Sequence, residues 1–284
     1  MTTSNQMAES GADEITFDRE TLAERAAYRR SQTRLSWTIR IVAAVIFAVG
    51  WQAASSLGLV NVNFISTPWG VVTRLVEMVQ ESATWSAVWS TFQAALIALG
   101  IGTFLGVLCG VVFHRIPTLA RALNPFVTFF NALPRPALAP LFILWFGLGL
   151  QAKVVVGVSI VFFILLLNTM AGLATVDADI MLLTDSLGPN HLQRFWLVEF
   201  PSALPSIVAG LRLAAVYSVL GVVVSEIVAS YNGLGVLLVQ ATNSFDITGS
   251  LAVLALMATC ATVLDFAVRQ IQRYVGDPAR GAEL

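Results

Sequence analysis

An all-α integral membrane protein with six transmembrane helices is the fold this sequence predicts, and three observations predict it. Hydrophobic residues fill 57% of the 284 positions and charged residues only 12%, against roughly a quarter charged in an ordinary soluble domain. The apolar residues gather into runs long enough to cross a hydrocarbon layer of about 30 Å at about 1.5 Å per residue. The scarce Lys and Arg fall on alternate sides of those runs, which is topological information. A formal net charge of -1 gives no sign of a nucleic-acid partner.

In chain order, residues 1–36 form a polar tail of Glu, Asp, Arg, Ser and Gln, and no small-residue cleavage site follows the first apolar run, so the tail does not read as a signal peptide. Span one, 37–57, is interrupted only by Arg40 near its start and Gln52 near its end. Ser66 or Thr67 then caps a helix that begins with Pro68, and Val71, Leu75, Met78 and Val79 share one face, as in an interfacial helix. Span two, 88–113, carries Gly102, Gly106 and Gly110 at four-residue intervals, a row that lets another helix approach closely. Span three, 119–147, contains Pro125, Pro134, Pro136 and Pro140. Each proline removes a backbone donor, so this span has to be kinked or unwound, with its freed carbonyls satisfied by neighbours or by water in a cavity. Span four, 152–176, encloses Asn168; a polar stretch, 177–203, separates it from span five, 204–229. Span six, 248–268, completes a transmembrane domain placed at 37–270, and residues 271–284 are a short polar tail.

Arg25, Arg29, Arg30, Arg34 and Arg40, then Arg115, Arg121 and Arg194, then Arg269, Arg273 and Arg280 all fall on one side of this arrangement. The opposite loops hold only Arg74 and Lys153, so both termini and the 177–203 stretch are expected in the cytoplasm. The sequence has no phosphate-binding loop, no His-Glu-x-x-His and no nucleophile set in a plausible context, so it predicts no catalytic residue and no metal site. Cys109 and Cys260 sit inside apolar runs and read as small buried hydrophobes.

Within 177–203, Gly188 and Pro189 stop one short helix, Asn190 caps a second, and Pro201 and Pro205 bracket re-entry into an apolar segment. Two readings stand. The stretch presents Leu187, Leu192, Phe195 and Trp196 to a groove in a soluble partner, with Gly188 permitting the turn, or it rests as an amphipathic loop on lipid headgroups.

Gly188, nine residues, Val198, one residue, then Phe200 and Pro201 resembles the cytoplasmic signature loop of bacterial ABC importer permeases. The usual form is Glu-Ala-Ala, three residues, Gly, nine, Ile, one, Leu-Pro; here Leu182, Leu183 and Thr184 stand in place of Glu-Ala-Ala. Pro140 to Gly149, Gly210 to Ala214 and Gly233 to Gly235 resemble the sulfonate, taurine and nitrate branch of that family. The resemblance covers roughly residues 60–275.

It implies a type I ABC importer permease fold whose coupling loop, with Asp185, Leu187, Gly188, His191, Leu192, Phe195, Trp196 and Pro201, docks on an ATPase. It also implies two copies of the chain paired with two ATPase subunits in a bacterial inner (plasma) membrane, and a periplasmic or lipid-anchored substrate-binding protein. ATP and Mg would be bound by the ATPase, leaving no cofactor in this chain, and the solute would be a small anion such as a sulfonate, nitrate or an aromatic acid.

Three residues inside the spans are candidates for the pathway. Arg135, about 18 Å from the outer end of span three at helical rise, either contacts a passing anion or braces the carbonyls that the prolines release. Glu226 either lines the path or the outer gate by pairing across a dimer, or is an exposed interfacial carboxylate. Asn168 reads as a contact between helices ahead of a solute contact. Asp265 and Arg269, four apart on span six, read as a helix ion pair. A secondary transporter would want mid-depth carboxylates, which the sequence lacks. A non-transporting assembly subunit would give no reason for the broken span three or the signature loop.

Overall fold

The computed structural model describes residues 36–58 and 61–275. The polar tails expected at 1–36 and 271–284 lie outside the described residues, apart from Ser36 and the helical positions 271–275. The chain divides into two compact units, 1–69 and 70–284. In the first, α1 (Ser36–Ser56) is an apolar helix of 21 residues followed by the short α2 (Val62–Ile65). The Ser55 hydroxyl donates to the Ser66 carbonyl at 3.0 Å, which ties the end of α1 to the chain beyond α2.

The second unit takes up most of α3 (Pro68–Gln80) and continues through α4 (Ser82–Arg115), α5 (Pro117–Ala132), α6 (Arg135–Phe146), α7 (Leu150–Ala174) and α8 (Ala178–Ser186). It ends with α9 (His191–Arg194), α10 (Phe200–Val228), α11 (Leu234–Asn243) and α12 (Ile247–Val275). Among the described residues five helical stretches are long and apolar enough to cross a membrane: α1, α4, α7, the continuous run His191–Val228, and α12. The pair α5 and α6 qualifies only together and is bent by 93°, which gives six spans if the pair counts as one.

The core is α4 on α7 and α7 on α10, with α12 against α10 and α6 against α7. Glycines set how close these axes come. A Cβ at Gly102 would stand 2.6 Å from Val161 Cβ, one at Gly106 2.6 Å from the Phe162 carbonyl oxygen, and one at Gly110 2.7 Å from Thr169 Cβ. The row expected from spacing is thus the seam on which α7 lies. Because the matched positions climb together in both helices, α4 and α7 run parallel. Gly172 meets Ala203, Asn168 meets Gly210 and Gly157 meets Gly221, so α10 runs antiparallel to α7. Two parallel neighbours require the segment between them to carry the chain back, and α5 with α6 does so.

The break in that segment is sharper than a kink. Leu133 and Pro134 are extended, with ψ 133° and 97°. Pro125 and Pro140 stay inside α5 and α6, and Pro136 sits in the first turn of α6, where a missing donor costs nothing. Span five also differs from the expectation, since the helix starts at His191 and not at Leu204. A widened, π-type turn over Phe195–Glu199, in which the Phe200 N–H reaches back to the Phe195 carbonyl, lies just before Pro201. Such a turn loosens the ladder where a proline ring would otherwise press on the preceding turn, so Pro201 and Pro205 ride within the helix instead of ending it. On α3 the predicted face is narrower than expected: Met78 is buried, Val71 and Leu75 pack on the core, and Val79 points outward.

The seam makes a sharp expectation. Gly106→Leu has to displace backbone of α7 and should cost at least the roughly 1–3 kcal/mol of ordinary overpacking, lowering the melting temperature or the folded yield. Gly100→Leu, with nothing within 4 Å of its Cβ, should melt with the parent; thermal denaturation of the detergent-solubilised protein compares the two.

Candidate functional site

At the end of the bundle where α4 finishes and α10's run begins, a polar loop is assembled from α8 and α9. Gly188 sits at φ +68°. No atom lies within 4 Å of where its Cβ would be, so the backbone conformation, not crowding, demands glycine. Asn190 Oδ1 accepts from the Gln193 N–H at 2.7 Å and Gln193 Oε1 accepts from the Asn190 N–H at 3.0 Å, a reciprocal cap that starts α9. Leu187, Leu192 and Trp196 are 82%, 66% and 56% exposed, and Asp185, His191 and Pro201 are exposed beside them.

Phe195 departs from the expected exposed set. It is buried because it shares a face, one turn apart, with the buried Glu199, and that face lies against the end of α4. The Arg115 guanidinium stands 4.4 Å above the Phe195 ring and donates to the His191 carbonyl at 3.1 Å. Arg194 reaches Asp185 at 2.8 Å and Glu199 at 2.9 Å, while His114 Nε2 lies 3.4 Å from the other Glu199 oxygen. The loop is therefore fastened to α4 through Arg115, expected only as an orientation marker, and through His114 and Glu199. The available signal was Glu199, a carboxylate isolated among Trp196, Leu197, Val198 and Phe200.

Arg135 opens α6 at the break. Its Nε donates to the Ser159 carbonyl at 3.1 Å, its Nη2 to Asn131 Oδ1 at 2.9 Å and to the Asn131 carbonyl at 3.3 Å, and the guanidinium lies 4.9 Å from the Phe163 ring centroid. These bonds brace the break against the middle of α7. Asn168 is half-buried, donates to the Ile164 carbonyl at 2.8 Å, and fills the notch left by Gly210 on α10.

Glu226 corrects two expectations. It is 1% exposed, not an interfacial carboxylate, and its partner is Lys153 of the same chain at 2.9 Å, not a residue across a dimer. Lys153 is no loop residue either: it lies in the first turn of α7 and is 4% exposed. Thr91 contacts both Glu226 oxygens at 2.9 Å, and the Gly235 N–H donates to Oε2 at 2.9 Å. Lys153 also donates to Ser90 Oγ at 2.9 Å and to the Asn232 carbonyl. The physical reason is that neither charge is tolerable alone inside apolar packing, and each supplies what the other lacks. The Gly-Leu-Gly at 233–235 is explained by the same group, since a Cβ at either glycine would run into Glu226.

Lys153→Met leaves the carboxylate buried without its cation and should cost about 3–5 kcal/mol. Adding Glu226→Gln should recover most of that loss, because the amide still accepts from Thr91 and Gly235; equal melting temperatures for the single and double variants would show that the pair is not what holds this end.

The family described as binding-protein-dependent transport system inner membrane component matches residues 102–277. The riboflavin transport system permease protein RibX of Chloroflexus aurantiacus is 32% identical over 240 residues, covering 83% of this chain and 90% of the relative. The taurine transport system permease protein TauC of Escherichia coli is 26% identical over 254 residues, covering 84% and 92%. Among solved structures, an inward-facing conformation of the MetNI methionine ABC transporter superposes with a TM-score of 0.61 at 21% identity, over 69% of this chain and 99% of that one.

Proposed function

The chain belongs to the binding-protein-dependent transport system inner membrane component family, and from that premise we propose that it forms the membrane pathway of an ATP-driven importer for a small organic anion. As an ABC importer permease it is a multi-pass membrane subunit that does transport and not catalysis. In the proposed assembly, two copies pair with two ATPase subunits, which bind ATP and Mg; an extracytoplasmic binding protein delivers the solute; and both termini and the loop around Gly188 face the cytoplasm.

The observation that carries this reading is the loop itself. Leu187 at the end of α8 and Leu192 and Trp196 in the first turns of the run His191–Val228 stand exposed, and the start of that run is fastened to α4 by Arg115. A groove on an ATPase can grip such a helix, and its displacement passes directly into α4 and into the rod His191–Val228. Relatives named for taurine and for aliphatic sulfonates, together with a guanidinium at mid-depth, support an anionic solute. Among the described residues the buried carboxylates, Glu199 and Glu226, lie at opposite ends of the bundle, which is a poor arrangement for a carrier driven by an ion gradient. Reconstitution with the ATPase and binding protein tests the reading: ATP-dependent accumulation of taurine or another sulfonate supports it, and failure of any ATPase to co-purify overturns it.

Gly188→Val places a β-branched residue in a left-handed conformation, at a cost of roughly 1–2 kcal/mol, which is about tenfold in the population of the docked loop. Membrane insertion should be intact while ATP hydrolysis becomes uncoupled from uptake. Substrate-stimulated hydrolysis at the parental rate in this variant would remove the loop from the coupling path.

A further inference from the structure

The helix α5 buries none of its residues, yet its surface is strongly two-sided. At about 100° per residue, Arg121, Asn124, Thr128 and Asn131 fall within an arc of about 80°, and Arg135, across the break, is bonded to the last of them. The first four are exposed. Leu123, Phe126, Val127 and Phe130 occupy the other side, with Phe126 and Phe130 facing outward.

The register of the seam says where this helix lies. Gly110 packs on Thr169 of the parallel α7, so Arg115 is level with Ala174, while Arg135 is bonded to the Ser159 carbonyl. Those two levels are about 22 Å apart along α7. The Asn131 carbonyl accepts from the same guanidinium at 3.3 Å, which keeps the last turn of α5 within about 9 Å of the Ser159 level, so the turn after α4 and α5, itself about 24 Å long, together rise about 13 Å. The end of α5 thus reaches toward the middle of α7, in keeping with its forming one bent apolar stretch with α6. Polar side chains turned toward hydrocarbon there would lose their hydrogen bonds to water, so their arc faces either water or polar groups of a second copy, and only the first leaves it open to soluble reagents.

We propose that Arg121, Asn124, Thr128 and Asn131, closed off by Arg135, are the wetted wall of the cytoplasmic half of the pathway and pass a small oxyanion from one guanidinium to the other. This rests on the importer reading above. The Nη edge of Arg121 matches the paired oxygens of a sulfonate or carboxylate, Arg135 offers its Nη1 while Nε and Nη2 hold Ser159 and Asn131, and the amide N–H groups and the Thr128 hydroxyl are donors between them.

Single cysteines in the complete complex, with Cys109 and Cys260 replaced by Ala, test this with two thiol reagents in membrane vesicles: the anionic sulfonatoethyl and the cationic trimethylammonioethyl methanethiosulfonates. Asn124→Cys and Thr128→Cys should react from the cytoplasmic side, and Leu123→Cys and Phe130→Cys should not. Adding Arg121→Gln should slow the anionic reagent at Thr128→Cys by about tenfold and leave the cationic one unslowed. Trapping the ATP-bound state should protect Thr128→Cys, which a helix lying on the membrane surface would not show. Equal labelling of both arcs, or no state dependence, overturns the wall; an equal effect of Arg121→Gln on the two reagents overturns the oxyanion preference. The expected labelling in a complex that accumulates no anion would leave the wall standing and defeat the proposed solute class instead.

Discussion

Helices in a lipid phase gain little by burying apolar surface against each other, because lipid tails are as apolar as leucine; close approach has to come from shape. In this chain the shape is the glycine seam. Gly102, Gly106 and Gly110 let α7 lie directly on α4, and Gly157, Gly172, Gly210 and Gly221 do the same between α7 and α10. Everything else is positioned by that register. It sets Lys153 level with Glu226 and Thr91, Asn168 against Gly210, and Ser159 at the depth where Arg135 anchors the broken span.

The two ends of this block are closed by different chemistry. At the loop end the contacts are partly solvated: Arg194 joins α8 to the π-type turn, and Arg115 stacks on Phe195 while bonding the His191 carbonyl. At the other end a buried ion pair is wrapped by a hydroxyl and by backbone of the first turn of α11 and of Asn232 before it. A further ion pair, Arg212 to Asp265 at 3.6 Å, joins α10 to α12, and the expected Asp265 and Arg269 pair completes it.

Composition and periodicity carried the membrane class, the six apolar segments, the close-approach row on α4 and the need for a break among the prolines, because each of these is written in one local stretch. What they did not carry is pairing between distant stretches. Lys153 read as a loop cation and Glu226 as a path or gate residue pairing across a dimer, or an interfacial carboxylate, because their separation of 73 positions is bridged only by the α7 and α10 packing. Pro201 and Pro205 read as bracketing re-entry into span five because proline suits the first turn of a helix, and the π-type turn just before Pro201 leaves no mark in composition. Phe195 was assigned outward with Trp196, although the helical face it shares with Glu199 was countable. The polar line along α5 was likewise present at three- and four-residue spacing, hidden by the attention its prolines attract.

The fastening at both ends has a mechanical consequence. With α4, α7 and α10 locked to one another along the seam and again at each extremity, they form a stiff body whose longest member, α4, measures about 50 Å. Such a body has little freedom to bend and can respond to a push on one end mainly by turning. A turn of about 15°, the scale on which rigid subunits rotate in other assemblies, about its midpoint would carry each end sideways by about 6 Å, in opposite directions. Narrowing at one face of the membrane and widening at the other would then be a single movement, with no separate signal needed to connect them.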